Sequence, residues 1–177
     1  MRASAFRSDK KFYHVALNYK ASRNLKILDW IFIQNATARI AEKYQIEIQA
    51  LLMMDTHVHL LIADLNNNEN FLSQELQKAL SGEASLENLS EPIVHYSQYL
   101  NTYKYIYRNP VEAGLCKSVE EYEFSSLFYL LGNKKLYLNI VDHMNLIHNP
   151  MHILRWLNIK ENNYKNSKLS WQIEAEY

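Results

Sequence analysis

Two apolar runs, residues 45–54 (QIEIQALLMM) and 57–63 (HVHLLIA), are separated only by Asp55 and Thr56. So short a link admits one arrangement of two strands, an antiparallel hairpin, because a parallel neighbour needs a crossover of about a dozen residues or more. Successive side chains of a strand point to opposite faces, so His57 and His59 project together while Val58 turns away. Two parallel imidazoles make half of a metal site. The plainer alternative is a half-buried strand whose histidines only hydrogen-bond.

The other elements can be placed around this hairpin. Residues 12–19 (FYHVALNY), aromatic and β-branched, predict a first strand, with His14 in the core or on the sheet surface. Over residues 28–44, Trp30, Ile33, Ala36, Ile40, Ala41 and Tyr44 recur at spacings of three and four, which predicts a helix with one buried stripe. The polar NNNE at 66–69 can cap a second helix, carrying Phe71, Leu72, Leu76, Ala79 and Leu80 and ending at Gly82. The acidic stretch 83–91 predicts a surface loop ended by Pro92, followed by a short edge strand at 93–96. Strand, helix, strand, strand, helix, strand is the order of a ferredoxin-like α+β fold. It predicts an antiparallel sheet with helices on one face and an open face for the site.

Beyond this unit, residues 98–109 (QYLNTYKYIYRN) predict a helix that stops before Pro110, with 110–114 as its exit. Residues 119–131 and 136–157 predict further helix, broken at Gly132 and Pro150. The last twenty residues are polar enough for partial disorder. The expected organisation is one domain over 1–131 and a helical or partly disordered C-terminal extension over 132–177.

Composition narrows the function classes. A chain of 177 residues can bury a full core, and its lone Cys116 forms no internal disulfide. The first dozen residues lack the apolar run of a secretory signal, so the expected compartment is the cytoplasm. No apolar stretch reaches the roughly twenty residues of a membrane span, so no membrane is implied. Net charge is zero but uneven: Arg2, Arg7, Lys10, Lys11, Lys20, Arg23 and Lys26 face a single acid, Asp9, within residues 1–26. Residues 64–91 hold six acids against Lys78. Such asymmetry can aim a basic face at phosphates, or it can belong to a solvated tail and a solvated helix.

On the 98–109 helix, Tyr105 and Asn109 stand four apart and share a face, whereas Tyr103 and Tyr107 lie on another. An Asn oxygen can join two imidazoles around a divalent cation and leave positions open for water or a phosphate. Tyrosine is a weak nucleophile near neutral pH, with a reference pKa of about 10, so the cation has to polarise the electrophile. A DNA phosphodiester is the natural one. Of the other histidines, His95 stands near the start of this helix and could contact substrate, whereas His143, His148 and His152 fit a surface or packing role.

THVHLL, then YIYRNPVEAGL, then YEFSSLFYLL, together covering roughly residues 12–131 with the first strand, resemble the single-tyrosine HUH transposases, in particular the REP-associated tyrosine transposases. The resemblance implies metal ligands at His57, His59 and Asn109, the nucleophile at Tyr105, and Mg²⁺ or Mn²⁺ as cofactor. It further implies cleavage and rejoining of single-stranded DNA near hairpins through a 5′-phosphotyrosine, by a monomer or homodimer in the cytoplasm at the nucleoid. Asp55-Thr56 stands where the family commonly has Pro-Asn, and the acidic loop replaces a Trp-containing segment. Two other functions fit the same residues. One is a catalytically inactive or domesticated nucleic-acid-binding module, with tyrosines stacking on unpaired bases. The other is a metal-dependent hydrolase of a small phosphate ester that uses water.

Overall fold

A computed structural model describes residues 9–19, 27–81, 90–132 and 134–159. In chain order these form β1 (Lys11–Asn18), α1 (Ile27–Tyr44), β2 (Glu47–Met53), β3 (His57–Asp64), α2 (Glu69–Ser81), β4 (Ser90–Ile93) and α3 (Tyr96–Glu112). A 3₁₀ turn (Val119–Glu121), α4 (Ser126–Leu131) and α5 (Pro150–Asn158) follow. The four strands make one antiparallel sheet in the order β2-β3-β1-β4, so the fold is the ferredoxin-like α+β arrangement expected. The expected hairpin is β2–β3, with Met53 opposite Val58 and the Met54 amide donating to the His57 carbonyl at 2.8 Å.

The centre of β3 is a continuous apolar run because both of its faces are covered. Val58, Leu60 and Ile62, with Val15 and Leu17 of β1, pack against Trp30, Ile33 and Ile40 of α1 and Leu72 and Leu76 of α2. Leu61 and Ala63, with Phe12, pack instead against Tyr99, Tyr103, Ile106 and Tyr107 of α3 and Ile153 and Leu157 of α5. The second face is therefore not open as expected. The tyrosine helix roofs it, because that helix has an apolar stripe of its own to bury. The side chains of His57 and His59 share this face.

Asp64 joins the sheet to α2. Buried at the end of β3, its carboxylate accepts hydrogen bonds from the amides of Asn66 at 2.8 Å and Asn68 in the connecting loop and of Glu69, the first helical residue, at 2.9 Å. Asp64→Ala is expected to cost about 1–3 kcal/mol of stability, measured by urea unfolding. An unchanged midpoint would show that these contacts carry no net stability.

Three boundaries differ from the sequence expectations. Helix α3 begins at Tyr96 and runs through Pro110 to Glu112 instead of stopping at Asn109. Proline sacrifices one amide donor wherever it sits, and in the last turn little helix remains to be disrupted. The chain leaves through Gly114 at φ +73°, with the Leu115 amide on the Pro110 carbonyl at 2.9 Å. The edge strand lies at Ser90–Ile93 and includes Pro92, which an edge tolerates because one side of the strand has no ladder to serve.

The third difference is that neither 119–131 nor 136–157 is continuous helix. Both contribute extended backbone to the outer edge of β2, which would otherwise present unpaired amides and carbonyls. Ser125 bridges antiparallel to Leu52, and Ile140 bridges parallel to Ile48. The Met53 amide donates to the Phe124 carbonyl at 2.9 Å and the Leu51 amide to Ser126 Oγ at 3.0 Å, so residues 124–126 act as a clip on that edge. Leu138, Met144, Ile153 and Leu157 bring residues 134–159 into the two cores. The expected helix end at Gly82, residues 83–89 of the expected loop at 83–91 and the polar residues from 160 onward lie outside the described residues, as does most of the basic 1–26 segment.

Candidate functional site

Strand alternation puts His57 and His59 at the start of β3, beneath the C-terminal half of α3. His59 is only 4% exposed and His57 is half-buried. Their ring centroids lie 4.8 Å apart. Helix α3 is seated by Tyr99, Tyr103 and Tyr107, and that seating brings its next face, Tyr105 and Asn109, over the two central strands. Asn109 Nδ2 stands 3.0 Å from His59 Nε2, and the same amide interacts with His57. The Tyr105 ring meets His59 edge-on, with centroids 5.5 Å apart, while the side chain stays 53% exposed. All four residues singled out from the sequence therefore converge in one chain.

The other tyrosines of this stretch are structural. Tyr107 shares a hydrogen bond with Ser126 Oγ at 2.8 Å, and Tyr99 donates to Gln49 Oε1 at 3.3 Å. Burial pushes the hydroxyls of Tyr99, Tyr103 and Tyr107 up, away from ionisation. Among these and Tyr105, only Tyr105 combines exposure with contact to the histidines.

One member of the cluster was not legible as such. His14 of β1 places Nε2 at 3.1 Å from His59 Nδ1, the two rings inclined by 22°, and its edge faces the Tyr105 ring at 5.8 Å. The strand pattern puts Phe12, His14 and Ala16 on one face of β1, but only the register, with Ala16 opposite His59 and His14 opposite Leu61, brings the two imidazoles together. Thr56 adds a further contact, its Oγ1 lying 2.9 Å from His57 Nδ1.

Burial pushes His59 down to about 3, with neighbouring His14 and His57 adding to the effect. His57 and His14 are lowered mainly by burial, opposed by the Asn109 hydrogen bond and by the Glu91 carboxylate respectively. Near neutral pH the cluster is thus uncharged and offers nitrogen lone pairs. An unfolded histidine takes up a proton as pH falls through about 6.5, while folded His59 does not until far lower. The protein is therefore expected to lose stability from pH 6.5 downward, by up to about 1.4 kcal/mol per pH unit for each such proton. Urea unfolding at pH 7 and pH 5.5 without divalent cations checks this. The loss should shrink in His59→Gln, and a wild type equally stable at both pH values would contradict it.

Among the described residues, no group of three or more His, Cys, Asp or Glu side chains is placed to hold a metal ion. His95 precedes α3 as an exposed residue, and His148 and His152 are exposed. His143 pairs with Glu47, which also takes Lys10 at 2.7 Å, at the opposite end of β2 from the cluster. No described helix is long and apolar enough to cross a membrane.

No protein-family model matches the chain, and no curated protein matches it significantly. Its fold is similar to that of a REP-associated tyrosine transposase solved bound to a REP hairpin. The superposition has a TM-score of 0.56 at 20% identity and covers 70% of this chain and 79% of the other.

Proposed function

We propose that this chain is a metal-dependent DNA strand transferase in which Tyr105 is the nucleophile and His57, His59 and Asn109 hold Mg²⁺ or Mn²⁺. The observation that carries the reading is the convergence of an exposed tyrosine on a buried, uncharged histidine that is itself in contact with Asn109. The donor set fits such an ion. Asn109 Nδ2 and His59 Nε2 stand 3.0 Å apart, close enough for this amide and this imidazole to share one ion. A half-turn of the amide exchanges its nitrogen for its oxygen at that position. Two neutral imidazoles and one amide oxygen leave coordination positions for a phosphate. When bound, the ion would polarise a phosphoryl oxygen and offset charge as it develops.

The chemistry of the chain itself follows. Tyr105 Oη gives up its proton and attacks the phosphorus, so that the tyrosine becomes joined through the phosphate to the 5′ end of the downstream strand and the upstream strand leaves with a protonated 3′-hydroxyl. Attack by a 3′-hydroxyl on the same phosphorus returns Tyr105 and rejoins a strand, so neither water nor a nucleotide cofactor is consumed. Tyr99, Tyr103 and Tyr107 do not compete, because their rings seat the helix. The partner that fits is single-stranded DNA beside a hairpin, a reading supported by the fold shared with a hairpin-bound transposase. We assign the site to residues of a single chain, in a protein that works as a monomer or a homodimer. We assign this activity to residues 1–131, with 134–159 bracing α3 and the edge of β2, in a cytoplasmic protein acting at the nucleoid. Labelled hairpin DNA incubated with the protein and Mn²⁺ should yield an adduct that survives denaturing electrophoresis and is lost when EDTA is present from the start. Free cleavage products without any adduct would overturn the reading.

A further inference from the structure

The proposed ion accounts for one edge of the His59 ring, and the other edge is occupied by a residue that the proposed chemistry does not use. An amide nitrogen can only donate, so in the orientation with Asn109 Nδ2 3.0 Å from His59 Nε2 the lone pair of His59 lies on Nε2, and the same lone pair would face an ion after the amide turns. In the neutral ring the proton is then on Nδ1, where it points at His14 Nε2 across 3.1 Å. His14 accepts it and carries its own proton on Nδ1. The hydrogen bonds run in one direction, from Asn109 through His59 to His14.

We infer that His14 is a positioning residue: by accepting a hydrogen bond from His59 Nδ1–H, it holds His59 in the tautomer and orientation that present the Nε2 lone pair to Asn109 and the ion. The inference rests on the proposed function only for that ion. His14 is not itself a third imidazole ligand, because it meets His59 on the ring edge opposite Nε2, in keeping with the absence of a three-residue metal cluster among the described residues. The Thr56 hydroxyl lies 2.9 Å from His57 Nδ1, so a second hydrogen-bonding group stands at the same ring position of the other histidine. Ligating histidines generally lean on a carboxylate, a carbonyl or a water in this role. Here an imidazole takes it. The acceptor is rigidly mounted, since β1 is hydrogen-bonded on both sides, with Leu61 of β3 and Glu91 of β4 opposite His14.

The test compares His14→Phe, which keeps an aromatic ring but accepts no hydrogen bond, with His14→Gln, whose amide oxygen can accept one. His14→Leu serves as a second non-accepting variant should His14→Phe fold poorly. Nitrogen-15 spectra of the imidazoles, recorded without metal, should show His59 protonated at Nδ1 in the wild type and in His14→Gln, and shifted toward the Nε2–H form in the non-accepting variants. Titration with Mn²⁺ alone should show about 10- to 100-fold weaker binding in those variants, with His14→Gln recovering most of the loss. An unchanged tautomer together with unchanged Mn²⁺ affinity in a folded non-accepting variant overturns the inference, and it leaves the transferase standing if wild-type protein still forms the DNA adduct. Conversely, wild-type protein that shows both His14 effects but forms no adduct ends the transferase and leaves the inference intact.

Discussion

Tyr105→Phe is expected to lower formation of the covalent DNA adduct by about 10³-fold or more, because the substitution removes the attacking oxygen while keeping the ring that faces His59 and His14. Its fold should be intact, since the side chain is half-exposed and anchors nothing in either core. The control lies two residues along the same helix. Tyr107→Phe removes a buried hydroxyl that shares a hydrogen bond with Ser126. It should cost about 0.5–1.5 kcal/mol of stability, and more if Ser126 is left without a partner, yet leave adduct formation near the wild-type level. Reversed outcomes for the two variants would mean that the fold presents a different tyrosine from the one assigned.

The second large effect falls on the histidine pair. His59→Ala should weaken Mn²⁺ binding and strand cleavage by about 100-fold or more, since it deletes the nitrogen that faces Asn109 and leaves His14 with nothing to hold. Calorimetric titration with Mn²⁺ and the adduct assay read the two losses separately. Full cleavage by His59→Ala in the presence of EDTA would remove the ion from the mechanism. A binding module without catalysis makes the opposite forecast, because its affinity for DNA should depend on salt and be indifferent to His59.

Much of this site was legible before the fold because it depends on short-range periodicity. The strand alternation that turns His57 and His59 together and the four-residue spacing that aligns Tyr105 with Asn109 are properties of single elements. The same applies to the β2–β3 hairpin, which a two-residue break dictates. His14 was not legible in that way. Its partner is 45 positions along the chain, and a histidine in an alternating strand carries no mark of the register that will place it beside another ring. The stretch from Val119 to Leu157 misled for a related reason. Its apolar spacing resembles helix, but the unpaired outer edge of β2 offers hydrogen bonds to Phe124, Ser126 and Val141 that helix periodicity cannot register. Pro110 shows the limit of a local rule, since a proline in a final turn costs too little to stop a helix already seated by its buried tyrosines.

The most direct measurement is the identity of the residue that carries the DNA. After reaction with hairpin DNA and Mn²⁺, digestion with nuclease and trypsin should release the peptide spanning Tyr105 to Arg108, YIYR, bearing a nucleotide remnant. Fragmentation distinguishes its two tyrosines. A phosphodiester on Tyr105 and none on Tyr107 is the predicted result. Attachment to any other residue, or a protein that cleaves this DNA without ever becoming joined to it, would contradict the assignment.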